Sequence, residues 1–68
     1  MDSEKVLKYI QEVGYRTWDE TKANFALEQE EVLTAVLDFL ISKNKIRKVK
    51  FQVPSRESKV LFYVVSNE

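Results

Sequence analysis

The sequence predicts a small α+β domain: three helices followed by a two-stranded antiparallel β-hairpin. Three observations predict it. Apolar residues recur at helical spacing as far as Lys43. After Asn44 the period becomes extended, in two runs rich in Val, Ile, Phe and Tyr. Pro54-Ser55-Arg56-Glu57-Ser58 separates those runs and supplies a turn. At 68 residues there is room for one domain, residues 1–68, and for one thin core.

The first helix is expected from about Glu4 to about Val13. Ser3 is a candidate N-cap, and Val6, Leu7, Ile10 and Val13 form one apolar face. Gly14 supplies the left-handed residue that a helix stop needs. Tyr15-Arg16-Thr17 is a short extended link and leaves open a short third strand. Thr17-Trp18-Asp19-Glu20 has the pattern of a capping box, which starts a second helix from Trp18 to about Phe25. Such a short helix depends on its neighbours. Trp18 is expected to anchor it as a core or rim aromatic, and Tyr9 and Tyr15 to pack with a wet hydroxyl.

A turn at Ala26 to Gln29 leads to the third helix, from about Gln29 to about Lys43. Its apolar positions are Val32, Leu33, Ala35, Val36, Leu37, Phe39, Leu40 and Ile41. Only Thr34 and Asp38 interrupt them. This helix is therefore either central to the domain or offers a second apolar face to a partner. Glu30 and Glu31 suit the positive end of its dipole, Lys43 suits the other end, and Asn44 suits a left-handed stop.

The hairpin strands are expected over Ile46 to Val53 and Lys59 to Val65. Strict alternation puts Lys48 and Lys50 on one face and Arg47, Val49, Phe51 and Val53 on the other. Ile46 then shares a face with the lysines. A bulge near Arg47-Lys48, or the helix end packing over Ile46, resolves that conflict. The run from Val60 to Val65 is apolar on both faces. Either the first helix and the tail cover its spare face, or that face is exposed and drives association.

Charge is zero in total but strongly divided. From Lys43 to Lys59, seven basic residues stand against Glu57 alone, a net of +6. From Met1 to Ser42, four basic residues stand against nine acidic ones, a net of −5. A local positive field of this kind attracts phosphate or an acidic protein surface. The alternative is a solvated hairpin whose lysines guard an edge strand against aggregation.

Composition excludes much chemistry. The chain has no His and no Cys, so zinc sites of the usual ligand types and Ser-His or Cys-His nucleophile pairs are excluded. A single glycine excludes a Gly-rich phosphate loop. No enzyme, cofactor, metal or small-molecule substrate is expected. Met1-Asp2-Ser3-Glu4 is acidic with no apolar run behind it, so no signal peptide is expected there. No run reaches the length of a membrane span. Without cysteine, an intracellular setting is expected, cytoplasmic or at the nucleoid or nucleus.

The order helix, extended link, helix, tight turn, helix, hairpin resembles the winged-helix branch of the helix-turn-helix domains, across nearly the whole chain. The residues carrying the resemblance are the Thr17-to-Phe25 helix, the Ala26-to-Gln29 turn and Val32-Leu33-x-x-Val36-Leu37-x-x-Leu40. The exit Lys43-Asn44-Lys45-Ile46-Arg47-Lys48-Val49 is similar to the family's exit into its wing, with Asn44 where glycine is common. The resemblance implies a DNA-binding regulator of transcription whose third helix reads bases. Those positions here are Gln29, Glu30, Glu31, Thr34 and Asp38, of which Glu30 and Glu31, with Glu28 just before them, repel phosphate. The contacts are therefore expected on the wing: Lys45, Arg47, Lys48, Lys50, Arg56 and Lys59, gripping the backbone with weak sequence preference. The alternative is a protein–protein interaction module, a homodimer or complex subunit, using its acidic helices and spare apolar face.

Overall fold

Local groups set most helix ends, while the Gln29 N-cap of the third helix makes no side-chain capping bond. The computed structural model describes residues 1–65. Helix α1 spans Ser3–Gln11, and its N-cap is Asp2, not Ser3: the Asp2 carboxylate accepts from the Glu4 amide at 3.0 Å. A carboxylate there also meets the positive end of the helix dipole, which a serine hydroxyl does less well. Gly14 ends the segment at φ +101°, and its amide donates to the Ile10 carbonyl at 2.8 Å. Strand β1, Tyr15–Thr17, follows directly.

Helix α2, Trp18–Asn24, carries the expected capping box. The Glu20 amide donates to the Thr17 hydroxyl at 3.1 Å, and the Thr17 amide donates to the Glu20 carboxylate at 3.0 Å. The Thr17 amide, and with it the Thr17 hydroxyl, donates to the charged form and holds the Glu20 carboxyl below the usual carboxylate range. Helix α3, Glu30–Ser42, ends in a Schellman motif. Asn44 takes φ +59°, its amide donates to Ile41, and the Lys45 amide reaches back to the Leu40 carbonyl, both at 3.0 Å.

Strands β2, Ile46–Gln52, and β3, Ser58–Val64, pair antiparallel. The element order is therefore α1-β1-α2-α3-β2-β3. This differs from three uninterrupted helices followed by a two-stranded hairpin. The extended link is a strand between the first two helices, and it joins the sheet in the order β1-β3-β2. Tyr15 pairs with Tyr63 and Thr17 with Leu61, so β3 is central. The molecule is α+β, with three helices and a three-stranded antiparallel sheet among the described residues.

The helices cover one face of that sheet. The core is Val6, Ile10, Leu33, Leu37, Leu40, Ile46 and Phe62, bordered by Leu7, Trp18, Phe25, Val36, Ile41, Val60 and Val64. Trp18 stands edge-on to Phe62, with ring centroids 6.0 Å apart. Tyr9 joins three elements: it meets Phe25 edge-on at 5.6 Å, lies under the Arg16 guanidinium at 4.0 Å, and donates to the Glu20 carbonyl at 3.3 Å. Its hydroxyl is a structural donor, whereas Tyr15 is exposed. The one buried polar side chain among the described residues, Thr21, donates to the Thr17 carbonyl at 2.8 Å, so its burial leaves no orphan group.

Candidate nucleic-acid interface

Two backbone devices position the basic residues. At one end, the Schellman motif turns the chain out of α3 and presents Lys45 on its surface. At the other, the hairpin tip is a tight turn. The Arg56 amide donates to the Val53 carbonyl at 2.8 Å, and the Val53 amide donates to the Glu57 carbonyl at 3.2 Å. Pro54 presets the first turn residue. Arg56 then takes φ +68°, a left-handed conformation costing a residue with a Cβ about 1–2 kcal/mol relative to its preferred conformation.

Between those ends, alternation distributes the cations over two faces. The β2–β3 register runs without interruption from Ile46–Val64 to Gln52–Ser58, so there is no bulge at Arg47-Lys48. Ile46 is instead fully buried in the cluster with Leu40, where the end of α3 crosses the strand. The lysines share its face. Lys48 lies opposite Phe62 and Lys50 opposite Val60, on the side that the helices cover near Ile46 and leave open toward the tip. Arg47 lies on the other side, opposite Tyr63 and in line with Tyr15.

Lys48 borders a cleft of about 230 Å³ between α3 and the sheet. Trp18, Leu37, Val60 and Phe62 form its apolar lining, and Glu30, Thr34 and Asp38 its polar rim. The side of α3 nearest the hairpin is thus acidic, and it faces a lysine. No ion pair within 4.0 Å joins Lys48 to those acids among the described residues. Lys45, Arg47, Lys50 and Arg56 likewise carry no such pair there and are exposed.

Lys59 differs. Its ammonium donates to the Asp19 carboxylate at 3.0 Å and lies 3.5 Å from Glu57. The hydrogen bond to Asp19 raises the Lys59 pKa, and the same bond lowers that of Asp19. The sequence places these two residues in different elements 40 positions apart, so no local pattern announces the pair. Among the described residues, then, five of the six basic residues carry no ion pair and the sixth is tied to α2.

The sheet's outer face is the spare face of the last strand. Tyr15, Val49 and Phe51 are exposed on it, with Leu61 and Tyr63 half-buried between them. Helix α1 does not cover it, because Val6 and Ile10 pack on the opposite side with Phe62. Residues 66–68, the rest of the tail, lie outside the described residues.

Comparison of the chain with family models, with curated proteins and with solved structures returned no match. Among the described residues, no helix is long and apolar enough to cross a membrane.

Proposed function

We propose that the chain is a winged-helix binding module, non-enzymatic, that grips nucleic-acid phosphate through its β2–β3 wing. One observation carries the reading: five cations with no ion pair among the described residues, Lys45, Arg47, Lys48, Lys50 and Arg56, on the β2–β3 hairpin and its approach. Cations on both sheet faces and at the tip suit a wing that straddles a phosphate backbone rather than one laid flat on it. Helix α3 contributes little. Glu30, Glu31 and Asp38 are exposed along it and repel phosphate, so binding is weakly sequence-specific. Lys59 serves the fold through Asp19 and stands outside the grip.

The test is fluorescence anisotropy on a short mixed-sequence DNA duplex over a salt series. If four of the five cations each neutralise a phosphate, the log–log slope is about −3.6. Affinity then falls on the order of 100-fold between 50 and 200 mM salt. Lys48→Glu with Lys50→Glu removes two of them and about halves the slope. Lys59→Met leaves the slope unchanged. Binding indifferent to salt, or unaffected by the double reversal, refutes the reading.

A further inference from the structure

The flank of α3 that faces away from the wing has a different character. Val32 is 39% exposed and Phe39 is 49% exposed. With Ala35 and half-buried Val36 they line a shallow apolar hollow whose other walls are Ser3 and Glu31. The hollow adjoins a second one, where Leu7 of α1 meets Phe39, Leu40, Lys43 and Lys45. Leu27, fully exposed, stands in the turn just ahead of α3. A continuous apolar strip on so small a domain marks a docking surface.

Charge along this strip says what docks there. Glu31 stands at its start, and Lys43 and Lys45 stand at its end. The Lys43 ammonium lies 5.7 Å from the centre of the Phe39 ring, over the strip itself. A surface acidic at one end, apolar in the middle and basic at the other complements its own copy turned through a half-rotation. The residues match in detail. The antiparallel register that sets Ala35 opposite Val36 of a second copy also sets Val32 opposite Phe39 and brings Glu31 within one helical turn of Lys43. The large Phe39 ring then seats beside small Ala35 and Val32, in the hollow next to it. Each contact occurs twice, as a two-fold interface requires.

We propose that the α3 flank formed by Val32, Ala35, Val36 and Phe39 is a homodimer interface. The two α3 helices pack antiparallel, with Glu31 and Lys43 closing each end. The β2–β3 hairpin and the acidic side of α3 lie on the opposite flank, so a dimer leaves both free and presents two wings; Lys45, at the end of the strip, is the one wing cation the interface reaches. This interface is separate from the wing and stands or falls independently of phosphate binding.

Sedimentation equilibrium without nucleic acid, from about 5 to about 500 μM, provides the test. The expected result is reversible conversion from monomer to dimer mass. Phe39→Glu weakens association at least tenfold, while its circular dichroism spectrum remains that of the parent. Ala35→Asp, at an exposed position, provides a second probe of the same surface. Glu31→Lys and Lys43→Glu each weaken the dimer about threefold to tenfold at low salt, because each reversal creates two like-charge contacts. The double reversal restores association to within about twofold. Monomer mass at every concentration overturns the proposal. Single reversals without effect, or a double reversal that fails to restore association, overturn it equally. A monomer that still binds DNA with steep salt dependence overturns the dimer and leaves the wing reading intact.

Discussion

Truncating Phe62 tests whether one face of the sheet holds this domain together. Phe62 is 4% exposed at the centre of the central strand, between Arg16 on β1 and Lys48 on β2. Its ring meets Trp18 edge-on at 6.0 Å and closes the core against α1 and α3. Phe62→Ala removes that ring and leaves a cavity that the small core cannot fill, at a cost of about 3–5 kcal/mol. A 68-residue domain at ~0.05–0.15 kcal/mol per residue holds about 3–10 kcal/mol in total. The variant therefore loses from about a third to all of its stability. With a urea slope near ~1 kcal/mol per molar, the midpoint falls by at least about 3 M. Trp18 is the only tryptophan and touches the deleted ring, so its fluorescence reports the transition directly. Phe51→Ala is the control. Phe51 sits on the outer face, 38% exposed, and its truncation is expected to cost less than about 1 kcal/mol. Equal losses for the two variants refute the one-faced core.

Two further outcomes follow from groups already described. Arg56→Gly relieves the left-handed strain at the hairpin tip and is expected to raise stability by about 1 kcal/mol in urea unfolding, while weakening DNA affinity by losing one cation. A variant less stable than the parent contradicts the strain assignment. Acid unfolding is expected to follow Asp19 and Glu20. Both carboxyls have lowered pKa values, by the Lys59 hydrogen bond and the Thr17 backbone hydrogen bond respectively, so they stabilise the fold above their ordinary values. That contribution is complete above about pH 5 and is lost as pH falls through the lowered values. The raised Lys59 pKa acts in the opposite sense: its contribution holds below about pH 10 and disappears above that, through the raised value. Thermal melts of Asp19→Asn against pH check this, because the variant loses part of both limbs. Parallel curves for parent and variant refute the assignment.

What was legible in the sequence was local. Thr17 and Glu20 lie three residues apart and cap one another, and Gly14 and Asn44 stop helices with their own backbone angles. Asp2 displaced Ser3 as the first cap because two adjacent residues both had a suitable oxygen, and only the helix start decides between them. The clash between Ile46 and the lysines was visible in the alternation. Of the two resolutions the sequence left open, a bulge or the helix end over Ile46, only the path of α3 across the strand selects the second. Of the six basic positions, five carry no ion pair among the described residues. Lys59 departs from them through a carboxylate 40 residues away, which periodicity cannot express. The third strand was open in the pattern of Tyr15 to Thr17, but its partner was not, because three residues carry too little register information to choose an edge.

The strand order β1-β3-β2 also fixes a timetable. The strand at the centre of the sheet is synthesised after both of its neighbours. The Tyr15–Tyr63 pairing closes a long loop, whereas the β2–β3 hairpin closes a short one. A nascent chain that has already exposed β1 and the helices still lacks the strand that gives β1 its hydrogen bonds. The apolar residues of α1 and α3 wait with it, because Phe62 completes their core. The hairpin is therefore the first part of the sheet to form, and β1 docks afterwards as the slow, non-local step.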